Sequence, residues 1–363
     1  MQCLLTRAWV EIHLGALLRN GARVAAHAGI PLLPMVKADA YGLGAPRVAR
    51  VLEELDPWGF GVATVGEGEE LRRAGIERPI MVFTPLLPGD FDSARRARLT
   101  PALGSADSIR LWAPARLPWH LAVDTGMSRA GVQWNEVAPL SDLAAATPPQ
   151  GVFTHFHSAD RDSDSRRTQE ERFSRALIDL GIRPKMVHAE NSPAVARRGR
   201  RYPWTWTVAR PGIFLYGVGS GAGDEIVPDP VVSLRARVVE VRTIPDGETV
   251  SYAATYRASG QRRIATLGIG YADGYRRAFS NAASVIVGGR RAPVAGLVTM
   301  DMTMIDVTDV QCEVGDVATL IGIDGRERLD VATVAAAGGI SPYELLTGLR
   351  SRLPRRFVGV RGA

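Results

Sequence analysis

From about residue 30 to residue 212 the chain repeats one rhythm: a short apolar run, then a stretch whose apolar positions recur at helical spacing. Eight such runs can be counted: "LLPMVKA", "WGFGVAT", "PIMVFT", "LTPALG", "WHLAVDTG", "GVFTHF", "KMVHAEN" and "TWTVARPG". They are continuous rather than alternating, the pattern of parallel strands buried on both faces. Eight strand–helix units in this length predict a (β/α)8 TIM-type barrel, preceded by a helix over "GALLRNGARVAAHAG" that stops on Gly29.

Past the glycine- and proline-rich connector "GIFLYGVGSGAGDEIVPDP" the pattern changes. "VVSLRARVVEVRTI", "SVIVGGRRAPVAG", "MTMIDVTDV" and "DVATLIG" alternate apolar and polar residues between turn signals such as "PDGE" and "IDGRE". These predict a second, mostly antiparallel β domain. The expected organisation is a barrel over residues 9–225 and a β domain over 226–363, with residues 1–8 available to pair with the latter.

Composition narrows the class. With 46% hydrophobic and 23% charged residues the chain has the make-up of a globular protein of one large or two ordinary domains. A net charge of +6 comes from arginines dispersed among acids, with no interleaved aromatic stripe, so a solvated basic surface is expected rather than a nucleic-acid partner. Cys3 and Cys312 match no disulfide framework and no metal-ligand spacing, and no apolar stretch reaches transmembrane length. A cytoplasmic protein with no membrane partner and no metal is expected.

Barrel enzymes build their sites on the loops after the strand C-termini. Lys37, Arg129, His155, His188 and Arg210 all fall at or just beyond such ends. Lys37 stands out because the chain holds only one other lysine, Lys185, at the start of a strand; arginine fills every other basic position. Arginine does not release its proton near neutrality, so a retained lysine points to amine chemistry, against the simpler reading of an incidental strand-end residue. A desolvated lysine among cations can form a Schiff base with a carbonyl, as pyridoxal phosphate is held. "YGLG" after Lys37, "ENSPA" and "RPGIFLYG" each offer hydroxyls or free N–H groups suited to phosphate, although turn chemistry alone explains any one of them.

Taken in order, "MVKADAYGLG", "VDTGMSRAGV", "FTHF", "HAENSPA", "ARPGIFLYG", "VSYAATY", "LGIGYADGY" and "MDMTMIDV" resemble the blocks of the alanine racemases along nearly the whole chain. The resemblance implies a pyridoxal 5'-phosphate enzyme that interconverts L- and D-alanine, supplying D-alanine for peptidoglycan. It implies that Lys37 holds the cofactor and is the base on one face of the substrate carbon, with Tyr252 on the other face, supplied across a head-to-tail homodimer. Tyr41, Ser192, Gly212 and Ile213 correspond to phosphate contacts. His155 and His188 fall among the cofactor residues, and Arg210 opposite the pyridine nitrogen. Arg129 and the backbone of Met300 match carboxylate contacts, and Tyr271 and Asp301 line the entrance. Tyr216, Tyr256 and Tyr275 are expected to pack, and His157 has no assigned role.

Several positions depart from the common pattern. Ala122 replaces a lysine that, carbamylated, props the substrate arginine in many members; Ser351 stands where a phosphate-touching tyrosine is expected. Thr299, Met302 and Leu43 replace a cysteine, a glutamine and a histidine around the rim. These changes leave open a racemase for serine, lysine or a broader range. A same-fold decarboxylase is disfavoured by arginine, not a carboxylate, in "VARPG". A silent cofactor binder is disfavoured by the retention of both Lys37 and Tyr252.

Overall fold

The computed structural model describes residues 6–161, 163–197, 206–221 and 223–359. Cys3 and most of the basic run "RRGRR" lie outside the described residues. Six of the eight apolar runs form one parallel sheet in chain order: Phe60–Val62, Ile80–Val82, Thr100–Leu103, His120–Asp124, Gly151–Phe153 and Met186–His188. The first and eighth runs are not regular strands. They join through single parallel bridges, Leu32 to Ala209, Met35 to Gly61 and Asn191 to Arg210. The physical reason is in the sequence: Pro31, Pro34 and Pro211 have no N–H for a continuous ladder.

One interior layer nevertheless takes a residue from nearly every run: Leu33, Met81, Ala102, Ala122, Phe153, Met186 and Val208 pack together, with Trp58 of the second run against them. That is how a closed barrel fills its centre. Helices follow the runs on the outside; the longest crossover helix, Ser165–Leu180, buries Phe173, Ala176, Leu177 and Leu180.

The second sheet is mostly antiparallel and is organised on the long strand Val232–Ile244, which pairs with Val317–Asp324, Ala8–His13 and Arg262–Leu267. Residues 9–13, counted with the barrel on sequence, therefore sit in this sheet, where Val10 and Ile12 are fully buried and Arg355–Val358 pairs alongside in parallel. The β domain also carries two short helices that its strand pattern did not announce, Val331–Ala337 and Pro342–Thr347. The second packs on the segment after Lys37 and so brings the far end of the chain to the mouth of the barrel. Among the described residues no helix is long and apolar enough to cross a membrane.

Candidate active site

The segment Lys37–Gly42 is a single left-handed turn: Ala38, Asp39, Ala40 and Tyr41 all have φ between 52 and 59°. For L-residues each such conformation costs about 1–2 kcal/mol, so neighbouring groups must hold it. The Ala38 N–H donates to Glu67 Oε1 (2.7 Å), the Ala45 N–H to Asp39 Oδ1 (2.7 Å), and Arg355 donates twice to the Gly42 carbonyl. Glu67 is itself fixed in a capping box with Thr64 at the start of the helix Val65–Arg73. The turn swings Lys37 and Tyr41 into one cavity.

That cavity encloses about 630 Å³ at the C-terminal end of the barrel strands. Lys37, Arg129, His155 and Arg210 line its floor and wall, and Tyr41, Ser192, Gly212 and Ile213 line it too, as does Tyr343 from the β domain of the same chain. The backbone approaches very closely at Gly212, where a Cβ would lie 2.3 Å from the Tyr41 hydroxyl oxygen. The Gly212 N–H donates to Ser192 Oγ (2.8 Å), and Asn191 caps the short helix behind it. Burial, and then the neighbouring Tyr343, raise the pKa of Tyr41; burial, then Asp160, raise that of Tyr343. Both phenols therefore keep their protons and are available as donors.

Cations dominate the floor. Burial lowers the Lys37 pKa and Arg129 lowers it further, against Glu67, with Arg210 adding to the depression. Arg210 is almost wholly buried. It donates to the carbonyls of Thr154 (2.8 Å) and Ala189 (3.1 Å), and it lies over Phe83 and Phe153. His155 Nδ1 lies 3.3 Å from Arg210 Nη2, and burial, Arg210, Arg129 and Lys37 together push its pKa down to about 3. It is a neutral ring at working pH.

Arg129 sits on a loop whose shape comes from Asp124, whose carboxylate accepts the N–H groups of Gly126 (2.8 Å) and Ser128 (3.1 Å). Its own head is exposed, and among the described residues it has no hydrogen bond or ion pair. Ala122, whose side chain is packed with Phe153, Met81 and Val208, gives it no support.

Other residues fall differently from expectation. His188 does not line the cavity; it is fully buried behind Arg210, with its Nδ1 2.6 Å from Nη1. Ser351 lies in a separate surface depression with Asp39, Thr347 and Arg355, and the tyrosine that reaches the cavity is Tyr343 in "SPYELL". Its sequence signal was a helix start, Ser341 capping with proline at the first position, which is weak alone. His157 and Asp160 line the cavity, unassigned on sequence. Leu43 is in the core rather than at the rim. Lys185 is exposed at the opposite, strand-start end.

Tyr252, Tyr271, Met300 and Asp301 are not in this chain's cavity at all. They stand on the β domain with Tyr252 72%, Tyr271 41% and Met300 53% exposed. Tyr252 is flanked by strained backbone, Ser251 at φ 70° and Ala253 at φ 58°, and the Ser251 hydroxyl donates to the Leu297 carbonyl (2.7 Å). The loops of Tyr271 and Met300 are joined by two backbone hydrogen bonds of 3.0 Å. Asp301 is held by Arg352 (2.7 Å), which with Arg7 also pairs the buried Asp273. Of the tyrosines expected to pack, Tyr216 and Tyr275 are fully buried and Tyr256 is half-buried, its hydroxyl donating to Asp306.

Comparison with known proteins agrees with this architecture. Residues 12–220 match the family description "Alanine racemase, N-terminal domain" and residues 231–357 "Alanine racemase, C-terminal domain". The chain is 38% identical over 357 residues to an alanine racemase of Deinococcus radiodurans, covering 97% of this chain and 99% of that one. Among solved structures it superposes on alanine racemase from E. faecalis with a TM-score of 0.91 at 28% identity, covering 97% and 98% of the two chains. It superposes on the Bartonella henselae alanine racemase, solved with covalently bound pyridoxal phosphate, with a TM-score of 0.89 at 27% identity, covering 97% and 100%. On its fold, its cavity and these full-length matches, the chain belongs to the alanine racemase family.

Proposed function

We propose that this protein interconverts L- and D-alanine with pyridoxal 5'-phosphate, the cofactor being held by Lys37. The observation that carries the reading is the meeting of Lys37, Arg129 and Arg210 in one cavity that also presents Tyr41, Tyr343 and Ser192. The donor set suits the cofactor. The lowered proton affinity of Lys37 leaves its amine able to hold an aldehyde, and two protonated phenols and a serine hydroxyl fit a phosphate. The missing Cβ at Gly212 lets the Tyr41 hydroxyl come right up to the backbone beside Ser192, which brings these donors together. Arg210, whose pKa burial lowers to about 9 and which therefore keeps its proton near neutrality, would face the pyridine end as a donor.

When bound, the cofactor supplies an electron sink for the pair left when a proton leaves the substrate's α-carbon. The rest falls to the chain. Arg129 binds the substrate carboxylate through charge-assisted hydrogen bonds. Lys37 Nζ takes or returns the α-proton on one face, and the Tyr252 hydroxyl does so on the other, since inversion needs an acid–base group on each side. Tyr252 is exposed and does not line the cavity of its own chain; a second copy of the chain would supply it, together with Met300, Tyr271 and Asp301 at the entrance. The product would feed cell-wall peptidoglycan in the cytoplasm, a reading supported by the bacterial relatives.

The test is exchange of the alanine α-proton in deuterated water by cofactor-loaded protein, run alongside a panel of L-amino acids. Exchange that stops in Lys37→Ala and in Tyr252→Phe is expected, with alanine preferred over serine and lysine. Mixing the two inactive variants should restore activity, because a mixed dimer holds one site with both bases intact. No exchange by the wild type sinks the racemase reading; no complementation sinks the shared site.

A further inference from the structure

Arg210 is anchored at its inner end by a line of side chains that ends on the strand His120–Asp124, two places along the sheet from the strand of His188. Its Nη1 is 2.6 Å from His188 Nδ1, His188 Nε2 is 2.8 Å from His120 Nδ1, and all three residues are buried. The His120 Nε2 atom and the Gln150 Oε1 atom are both buried without a partner. The ring planes are fixed by packing. His188 stacks on Phe153 at 5.0 Å and 9°, and His120 lies over Gly151, where a Cβ would come within 2.6 Å of its Nδ1 and Cε1.

The direction of every hydrogen bond in this line follows from its first member. A guanidinium has donors only, so His188 Nδ1 must be bare. Burial, reinforced by Arg210 and then His120, lowers the His188 pKa well below 6.5, so the ring is neutral and its one proton sits on Nε2. That proton is donated to His120 Nδ1, which must be bare in turn. Burial, opposed by the nearby Gln150 side chain and reinforced by Arg210, brings the His120 pKa down to about 4, so its proton is on Nε2, and the unpartnered Gln150 amide oxygen is the acceptor that proton calls for. The opposite polarity would set a proton on His188 Nδ1 against the arginine at 2.6 Å, donor against donor.

We propose that His120, with Gln150 behind it, is a positioning residue for Arg210: it accepts the Nε2 proton of His188, whose tautomer Arg210 sets, and so holds that ring where the guanidinium keeps one fixed edge toward the cofactor. The proposal rests on the reading of Arg210 as the group facing the pyridine nitrogen, and it adds residues that touch neither cofactor nor substrate. Its consequence is that the line holds no labile positive proton. Arg210 is its only cation, so the pyridine nitrogen meets a fixed donor and no imidazolium.

The test is nitrogen-15 histidine NMR of the full-length protein with and without pyridoxal phosphate, the His188 signals being assigned with His188→Gln. Both His188 and His120 should appear as Nε2–H tautomers that do not titrate between pH 6 and 9. An Nδ1–H or protonated form of either overturns the proposal whatever the enzyme's activity. In His120→Phe the His188 ring should stay the Nε2–H tautomer but lose the hydrogen bond of that proton, seen as an upfield shift and faster solvent exchange; the cofactor dissociation constant should rise about tenfold and kcat fall about tenfold, while KM for alanine stays put because Arg129 is untouched. Gln150→Leu should act in the same direction with smaller size. A folded His120→Phe with wild-type kcat and cofactor affinity overturns the role; if that variant does not fold, the wild-type tautomers and Gln150→Leu decide it.

Discussion

Replacing Gly42 by alanine tests how the two domains are joined at the site. Gly42 ends the left-handed turn with φ 84°, and a Cβ there would stand 2.8 Å from the Leu346 carbonyl oxygen, in the backbone of the helix that carries Tyr343. The conformation costs an alanine about 1–2 kcal/mol, and overpacking against backbone adds about 1–3 kcal/mol. The sum, about 2–5 kcal/mol, corresponds to a fall in melting temperature of roughly 4–20 °C, taking 2–4 °C per kcal/mol as for chains somewhat shorter than this one. Gly29 is the control. It has φ 63° with nothing within 4 Å of its would-be Cβ, so Gly29→Ala carries only the conformational cost. Thermal and urea midpoints of both variants, without cofactor, separate the two contributions. Because the clash pushes the helix Pro342–Thr347, Tyr343 should leave the cavity and the pyridoxal phosphate dissociation constant should rise by about tenfold, equivalent to 1.4 kcal/mol. Equal losses in Gly42→Ala and Gly29→Ala, with unchanged cofactor affinity, would refute the reasoning that this contact seats Tyr343.

Three further outcomes can be measured. Lys37 has a lowered native pKa, so below that value the folded protein bears the full penalty of a buried charge, and the penalty fades as pH rises toward 10.5, where the unfolded lysine also loses its proton. Cofactor-free Lys37→Met should therefore be more stable than wild type at pH 7 in urea titrations, with the gap narrowing as pH increases; a gap independent of pH would contradict the assignment. His155, pushed down to about 3, cannot follow an unfolded histidine in taking a proton below pH 6.5. Stability should then fall with acidification between pH 6.5 and 3 by about 1.4 kcal/mol per pH unit from this residue, and His155→Asn should remove that part of the slope. Arg129→Gln should leave the melting temperature unchanged or raise it, since the arginine is exposed, without a polar partner and beside other cations, yet should raise KM for alanine by about 10- to 100-fold, the loss of roughly 1.5–3 kcal/mol of charge-assisted hydrogen bonding.

The barrel was legible because buried parallel strands leave unbroken apolar runs, and Lys37 was legible because one of only two lysines in an arginine-rich chain sits at the end of one. Where the reading missed, a physical cause can be named. The first and eighth runs are apolar enough to read as strands, but their prolines deny them ladders. Tyr343 was invisible because what places it at the cavity is a contact between Leu346 and Gly42, about 300 residues apart, and no local pattern reports such a contact. The same holds for His188: its strand-end position is that of a cavity residue, but Arg210 from the neighbouring run lies between it and the cavity. Position along a strand fixes which end a side chain is near, while the layer it occupies depends on what the adjacent strands contribute.

The site as a whole is held against local cost. Four non-glycine residues sit in a left-handed turn, a lysine is buried, and Lys37, Arg129 and Arg210 face one another with Glu67 as the nearby counter-charge. Each feature is destabilising by itself, and the proposed ligands would answer each: the cofactor's phosphate the donors at Tyr41 and Tyr343, its aldehyde the amine, and the substrate's carboxylate Arg129. Binding of that kind stabilises the folded state by RT ln(1 + [L]/Kd), about 4 kcal/mol at a thousandfold excess over Kd, comparable with the strain of the turn. Ala122, which lends Arg129 no support, fits the same logic. With no hydrogen bond or ion pair among the described residues, Arg129 keeps its attraction for a carboxylate and its repulsion of Lys37, so that on the proposed mechanism one guanidinium would serve both recognition and the lowered proton affinity of Lys37.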